Sequence, residues 1–453
     1  MGLAAAGTAS LQAAYAPDLG PLSSTKLWNV SATLRGFYDD NYDTANSGLN
    51  PRGSYGFEVS PQLMLAVPLQ QTELGLRNTY SMTYYQERDS LGQSPVDQSD
   101  QLDLWVDHAF SERWQVKVLD TFVVAQEPSL LTPNGLGESV PYRVNGDNVV
   151  NTGTITLNTD WTRLFSTVLT YQNSFYDYQN SGATVADVQP VGFFTFPPYL
   201  YPGATGKGAS LAGLLNRVDQ SVSLDFQWHI SPQTIAFFGG QFELVNYTGD
   251  EPIAYSPLLQ DNYYYSDSRD NRSYFGYVGF QHNLLPNLNI SAKAGLQYTD
   301  DYNDPLSSPS VAPYAVVSVI YTYRPGSYAQ IGFNQQRNAT DVIGLNSTTS
   351  TNSANFGKIT QDQESSVVYA SINHQITPKL MGTVIGSWQY STFEGGVYNN
   401  VADTYYSLGL NLSYTFTPHF SAEAGYNFDD IQSDIYQRGY TRNRVYIGVT
   451  AAY

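Results

Sequence analysis

The chain has 453 residues, 42% of them hydrophobic, yet no stretch approaches the about eighteen consecutive apolar residues of a membrane-spanning helix. Its net charge of −19 argues against nucleic acid, which needs a basic surface, and the absence of cysteine excludes a disulfide scaffold and cysteine metal sites. Charged residues are only 13%, low for a soluble surface, whereas tyrosine, with 37 residues, suits both strands and membrane–water interfaces.

Residues 1–16 are small and apolar and end Ala13-Ala14-Tyr15-Ala16, like the later part of a secretory signal, although no Lys or Arg precedes Lys26. Residues 17–26 read as an N-terminal periplasmic segment and 27–453 as one transmembrane barrel domain. The first strand is predicted over 27–39, with Trp28, Val30, Ala32 and Leu34 on one face and Arg35 on the other. Strands follow over 55–67 and 73–85, 101–110 and 114–125, 149–157 and 163–175, and 218–230 and 234–247. Further pairs are 272–283 with 288–299, 314–323 with 328–336, and 365–375 with 380–390.

The next hairpin shows the pattern at its clearest. Tyr406, Leu408, Leu410, Leu412, Tyr414 and Phe416 alternate with Ser407, Gly409, Asn411, Ser413 and Thr415. Thr417-Pro418-His419 turns the chain, and Phe420, Ala422, Ala424, Tyr426 and Phe428 resume the apolar face. A period of two gives an extended strand two distinct faces, and roughly ten alternating residues match a tilted transmembrane strand. The last strand is predicted over 442–453.

About eighteen strands result. The connection inside each listed pair is a tight turn, often with proline, and those between pairs are longer, roughly ten to thirty residues. Short turns at one end and long loops at the other predict an all-β, antiparallel up-and-down transmembrane barrel with periplasmic turns, external loops and both termini periplasmic. A β-propeller fails on strand length, uneven spacing and the continuous apolar outer face.

The inward polar set supplies pore-lining candidates: Arg35, Glu73, Arg77, Asp103, Asp107, Lys117, Asp225, Glu243, Lys293, Glu423 and Arg444. A charge facing lipid at mid-membrane costs about 2–4 kcal/mol for Arg or Lys, so these side chains should face water. The longest connection, 180–210, carries a dense apolar run in which Phe193, Phe194, Phe196, Tyr199 and Tyr201 are constriction candidates. Acid pairs at Asp39-Asp40, Asp300-Asp301 and Asp429-Asp430 read as solvated loop ends, with an acidic crown that concentrates cations as the functional alternative. His108, His229, His282, His374 and His419 all lie near short turns and on different hairpins, so they read as interfacial side chains and not a metal site. No nucleophile elbow, zinc-protease helix motif or phosphate loop occurs, and the chain is read as a non-enzyme without cofactor or metal.

At the final strand, Val445, Ile447, Val449, Ala451 and Tyr453 alternate to a C-terminal aromatic residue, which resembles the terminal strand of Gram-negative outer-membrane proteins. With Leu34–Tyr42, Asp120–Pro128, Asp267–Ser273 and Thr441–Gly448, the chain resembles the putative beta-barrel porin family of outer-membrane proteins. The resemblance implies an integral outer-membrane barrel, lipid and lipopolysaccharide around it, and Tyr453 as an assembly signal for the barrel-assembly machinery. It implies a channel for passive diffusion of small hydrophilic solutes or ions. A structural or adhesive barrel with a blocked lumen, and a conduit in polysaccharide export, are the alternatives.

Overall fold

Alternation becomes architecture once each strand finds neighbours that share its faces. The computed structural model describes residues 27–453 apart from 47, 49, 89–93, 127–146, 189–208, 257, 345–356, 436 and 437. The predicted signal and periplasmic segments therefore lie outside the described residues. The first half contains β1 (Trp28–Asp39), β2 (Ser54–Pro68), β3 (Thr72–Tyr85), β4 (Val96–Ser111), β5 (Trp114–Ala125), β6 (Asn148–Asp160) and β7 (Phe165–Tyr178). Short helices α1 (Val185–Val188) and α2 (Leu211–Leu215) precede β8 (Arg217–Ser231), β9 (Thr234–Tyr247) and a small hairpin, β10 (Pro252–Tyr255) with β11 (Tyr263–Tyr265). Then come β12 (Asn271–Leu285), β13 (Leu288–Asp300), β14 (Ser310–Arg324), β15 (Ser327–Ala339) and β16 (Thr360–Thr377). The series ends with β17 (Leu380–Gly395), β18 (Ala402–Thr417), β19 (Phe420–Ser433) and β20 (Tyr440–Ala452).

Among the described residues, eighteen of these strands form one antiparallel sheet in which each pairs with its sequence neighbours, the β10–β11 hairpin standing apart. The sheet closes where β1 pairs with β20, from Ser31 opposite Ala452 to Asp39 opposite Arg444. Closure removes the unpaired edges that a membrane could not satisfy. No helix among the described residues is long and apolar enough to cross a membrane.

The strands outrun the predicted ones at the long-loop end. β16 begins at Thr360, where alternation had indicated 365, and β17 continues to Gly395. The connections after β17 and β19 accordingly shrink to 396–401 and 434–439, shorter than the expected loops. Above the apolar band both faces turn polar, so the period disappears while the backbone ladder continues. At the other end the turns stay tight. Pro325-Gly326 shows why: Gly326 takes a φ of +72°, which a side chain resists.

The outer face carries two aromatic levels. Near the short turns lie Trp28 beside Tyr453 (5.6 Å), Trp114 beside Trp161 (5.6 Å), and Phe416 between Tyr414 and Phe420. Toward the long loops lie Tyr38 with Tyr55 (4.8 Å), Phe57 with Tyr84 (5.2 Å), and Tyr274 with Tyr298. Between them most outward side chains are apolar, as with Val278, Leu296, Leu410 and Ile447, all exposed in the isolated chain. An apolar band between aromatic girdles is the surface a bilayer solvates.

Candidate functional site

Register places every pore-lining candidate on the inner face, where its neighbours settle its role. Arg35 donates from Nε to Glu423 (2.5 Å) and from Nη1 to Glu58 (3.2 Å), and Arg444 donates to the other Glu58 oxygen (3.1 Å). Asn411 gives Glu423 a further donor at 3.0 Å. Gly448 leaves room for this arrangement, since a Cβ there would meet Arg35 Cγ at 2.7 Å. Arg444 also lies over the Phe37 ring at 3.9 Å. The four side chains are 2–8% exposed and pack against one another in the inner wall. Opposite charges on neighbouring strands, held side by side, satisfy each other better than a single solvated charge on a bare wall.

A second array occupies β3–β5. Arg77 donates two hydrogen bonds to Asp103 Oδ2 (2.9 and 2.8 Å), and the Thr121 hydroxyl donates to Oδ1 (2.9 Å). Lys117 lies 3.4 Å from Asp107, which also accepts from Gln115 at 2.6 Å. Trp105 lies flat over Gly75, where a Cβ would come within 1.8 Å of the indole, and its Nε1 faces Glu73 at 3.5 Å. A third group sits on β8, β12, β13 and β14. The Tyr277 hydroxyl donates to Asp225 (2.7 Å), and Lys293 Nζ stands over the Tyr277 and Tyr314 rings at 4.8 and 5.0 Å. Glu243 accepts from Gln241 at 3.1 Å. Sequence reasoning missed Glu58, Trp105, Tyr277 and Tyr314. Glu58 shares the inward alternation of β2, and the aromatics share that of β4, β12 and β14, the only signal that marks them.

The long-connection end is built differently. Tyr178, at the end of β7, and Leu214, Leu215, Ile253, Ala254, Tyr264, Ile343 and Ile359, from three connections, form one buried apolar cluster. Arg269, in the turn that follows β11, holds it together and is 1% exposed. Its guanidinium donates to the carbonyls of Leu214 (3.2 Å), Thr340 (2.7 Å) and Gln361 (3.1 and 2.9 Å). These residues leave the wall beside β8, β15 and β16, so the packed unit forms a chord that joins non-neighbouring strands at the long-connection end. Ser210 caps α2 by accepting from Gly213 N–H (2.8 Å), and its hydroxyl donates to Glu251. Asp304 accepts from Gln361 (2.6 Å) and from Tyr264 (3.4 Å). Burial pushes the Asp301 carboxyl up to about 7, with like-charge repulsion from Asp362 adding to it, and burial pushes Asp270 up to about 6. The constriction candidates Phe193, Phe194, Phe196, Tyr199 and Tyr201 lie outside the described residues.

The acid pairs are not a free crown. Asp39 takes a bidentate bond from Arg442, Asp40 accepts from the Asn443 backbone (2.6 Å) and amide (2.7 Å), and Asp300 accepts from Arg272 (2.8 Å). Asp429 accepts from Tyr405 (2.9 Å) and Asp430 from Thr441 (2.6 Å). They latch strand ends together because the ladders extend to their height. The histidines bond to separate neighbours, His108 to Thr72, His229 to Ser166, His282 to Thr234 and His374 to Tyr323. Among the described residues no group of metal-ligating side chains gathers. Tyr453 is 68% exposed and stacks at 6.2 Å on His419.

Residues 335–453 match the family model described as Putative beta-barrel porin 2. No curated protein sequence matches the chain. Among solved structures, OccAB4 of Acinetobacter baumannii aligns at 12% identity and a TM-score of 0.39, over 94% of this chain and 99% of that one. The outer membrane protein opdK of Pseudomonas aeruginosa aligns at 9% identity and 0.41, over 94% and 99%. The ferric enterobactin receptor of the same organism aligns at 10% and 0.44, over 94% and 81%.

Proposed function

With residues 335–453 matching a porin family, we propose that the protein is an integral outer-membrane channel through which small hydrophilic solutes or ions diffuse passively, and not an enzyme. Its short turns, the start of β1 and the end of β20 face the periplasm in this reading, its long connections face outward, and Tyr453 is the strand-terminal signal read during barrel assembly. The observation that carries the reading is the division of faces around a closed eighteen-strand ring: aliphatic and aromatic outside, paired charges and hydroxyls inside. Barrels of this circumference leave an aqueous interior that wall side chains alone do not fill.

Among the inward charges just described, Arg35, Arg77, Lys117, Lys293 and Arg444 stand against Glu58, Glu73, Asp103, Asp107, Asp225, Glu243 and Glu423. The small acidic excess favours cations weakly, and salt above physiological strength shortens its reach below about 8 Å. The test is conductance of the purified chain in planar bilayers, with reversal potentials under a salt gradient. Discrete steps with mild cation preference at low salt are expected. Anion preference would overturn the electrostatic part. The absence of any conductance, in the parent and in Arg269→Ala alike, would overturn the channel.

The chord pinned by Arg269 favours a second reading, a barrel capped at its outer mouth whose loops serve a surface role. Conductance that appears only in Arg269→Ala would support that reading.

A further inference from the structure

The apolar band is interrupted on one side. On β5 the outward residues are Trp114, Val116, Val118, Asp120, Phe122 and Val124, and Trp114, Phe122 and Val124 are 39–42% exposed. Asp120 therefore shares the lipid-facing surface with apolar residues above and below it. Trp114 belongs to the lower aromatic level. At about 3.3 Å per residue and a tilt of about 40°, Asp120 lies roughly 15 Å above it, inside an apolar band about 25 Å tall.

Asp120 is not alone. It is in register with Gly153, then Asn173, then Gln220, a row running around the wall from β5 to β8. Its carboxylate lies across Gly153, where an added Cβ would stand 3.2 Å from Oδ2. Asn151 donates to its two oxygens at 3.1 and 3.3 Å. Farther along, Asn78 donates to Asp100 (2.7 Å) on the same outer face. On β12–β14, β17, β18 and β20 the outward residues include Val278, Leu296, Val317, Val384, Leu410 and Ile447.

A carboxylate offers about four acceptor sites, and one amide beside it leaves most of them to hydrocarbon. Polar groups in this setting face a partner or a cavity, not acyl chains. We propose that the outer face of β5–β8, centred on Asp120, is the surface through which this chain associates with a second copy of itself. The patch carries both halves of the recognition: a carboxylate with acceptor sites that Asn151 leaves open, and the amides of Asn173 and Gln220 that donate. The carboxylate of each copy can thus meet the amides of the other, which is the requirement of a self-complementary interface. Leu104, Ile155, Tyr171 and Phe175, all exposed, give it an apolar rim. The inference rests on the membrane-spanning reading and is independent of whether the lumen conducts.

The cysteine-free chain makes the test clean. Single-cysteine variants Gln220→Cys and Asn173→Cys, with Val278→Cys as the control outside the patch, are reconstituted in vesicles and treated with a short bifunctional thiol cross-linker. The expected result is a cross-linked species of integral chain multiples, several-fold more abundant at 220 and 173 than at 278. It should fall to the control level when Asp120→Leu is added, while heat-modifiable migration shows that the barrel remains folded. Equal cross-linking at all three positions, a monomeric mass for the parent in mild detergent, or cross-links in cells only to a different protein would each overturn the proposal.

Discussion

Replacing Arg35 with alanine tests whether the inner-face charges brace the wall. The guanidinium reaches Glu423 at 2.5 Å and Glu58 at 3.2 Å, and the three side chains are 2–8% exposed. At an effective dielectric of about 20, one such contact near 3 Å has a gross attraction of about 5 kcal/mol, largely offset by desolvation. The measurable quantity is the cost of stranding the partners. Glu58 keeps Arg444 at 3.1 Å, whereas Glu423 keeps only the Asn411 amide at 3.0 Å. One buried carboxylate is thus left without a countercharge, and the loss should be about 3–5 kcal/mol. Urea unfolding in detergent, followed by tryptophan fluorescence and by loss of the fast-migrating folded band, measures it. Arg35→Ala combined with Glu423→Gln should regain a substantial part, because the second change removes the stranded charge. A loss below about 1 kcal/mol for Arg35→Ala, the range of solvated surface pairs, would show that lumen water already screens the network.

Arg269→Ala removes the donor to the Leu214, Thr340 and Gln361 carbonyls, so limited proteolysis should reach 248–270 several-fold faster and any conductance should rise. Asp301 and Asp270 have carboxyls raised to about 7 and about 6, so the packed mouth holds their neutral forms. The mouth's stability is then greatest below the ordinary carboxyl range near 4, declines as pH climbs to about 7 and changes little above it. Hydrogen-exchange protection across 263–270 and 301–309, taken relative to the intrinsic rate at each pH, should accordingly be greater at pH 5 than at pH 8. Gly75→Ala places a methyl where the Trp105 indole lies, so the ring should swing into the lumen, lowering conductance and shifting tryptophan emission.

Every barrel strand was visible in the sequence because a period of two is a local property that needs no knowledge of partners. The strand limits were less visible. The predicted 101–110 grew to Val96–Ser111, since Gln98 and Asp100 are polar on the outer face and erase the alternation. Long-range partners were invisible altogether: Arg35 and Glu423 are 388 residues apart in sequence. The family-like stretches gained meaning only in the fold. Leu34–Tyr42 and Thr441–Gly448 meet across the β1–β20 pairing, where Asp39 takes Arg442 and Asp40 takes Asn443. Asp267–Ser273 contains the arginine that pins the mouth, a role set by three connections that no local pattern relates.

The pairing of β1 with β20 also sets the order of events during folding. The Thr33 and Thr450 hydroxyls lie 2.9 Å apart although 417 residues separate them. Every other neighbour in the ring is reached through a connection of at most a few tens of residues. Closing a loop of about 400 residues carries an entropic penalty of about 5 kcal/mol, against about 2 kcal/mol for a loop of ten. The ring therefore shuts last, and until it does β1 and β20 each present an open, adhesive edge. Lesions along β20 should register first as slow or failed closure and aggregation during biogenesis, before any deficit is measurable in the finished barrel.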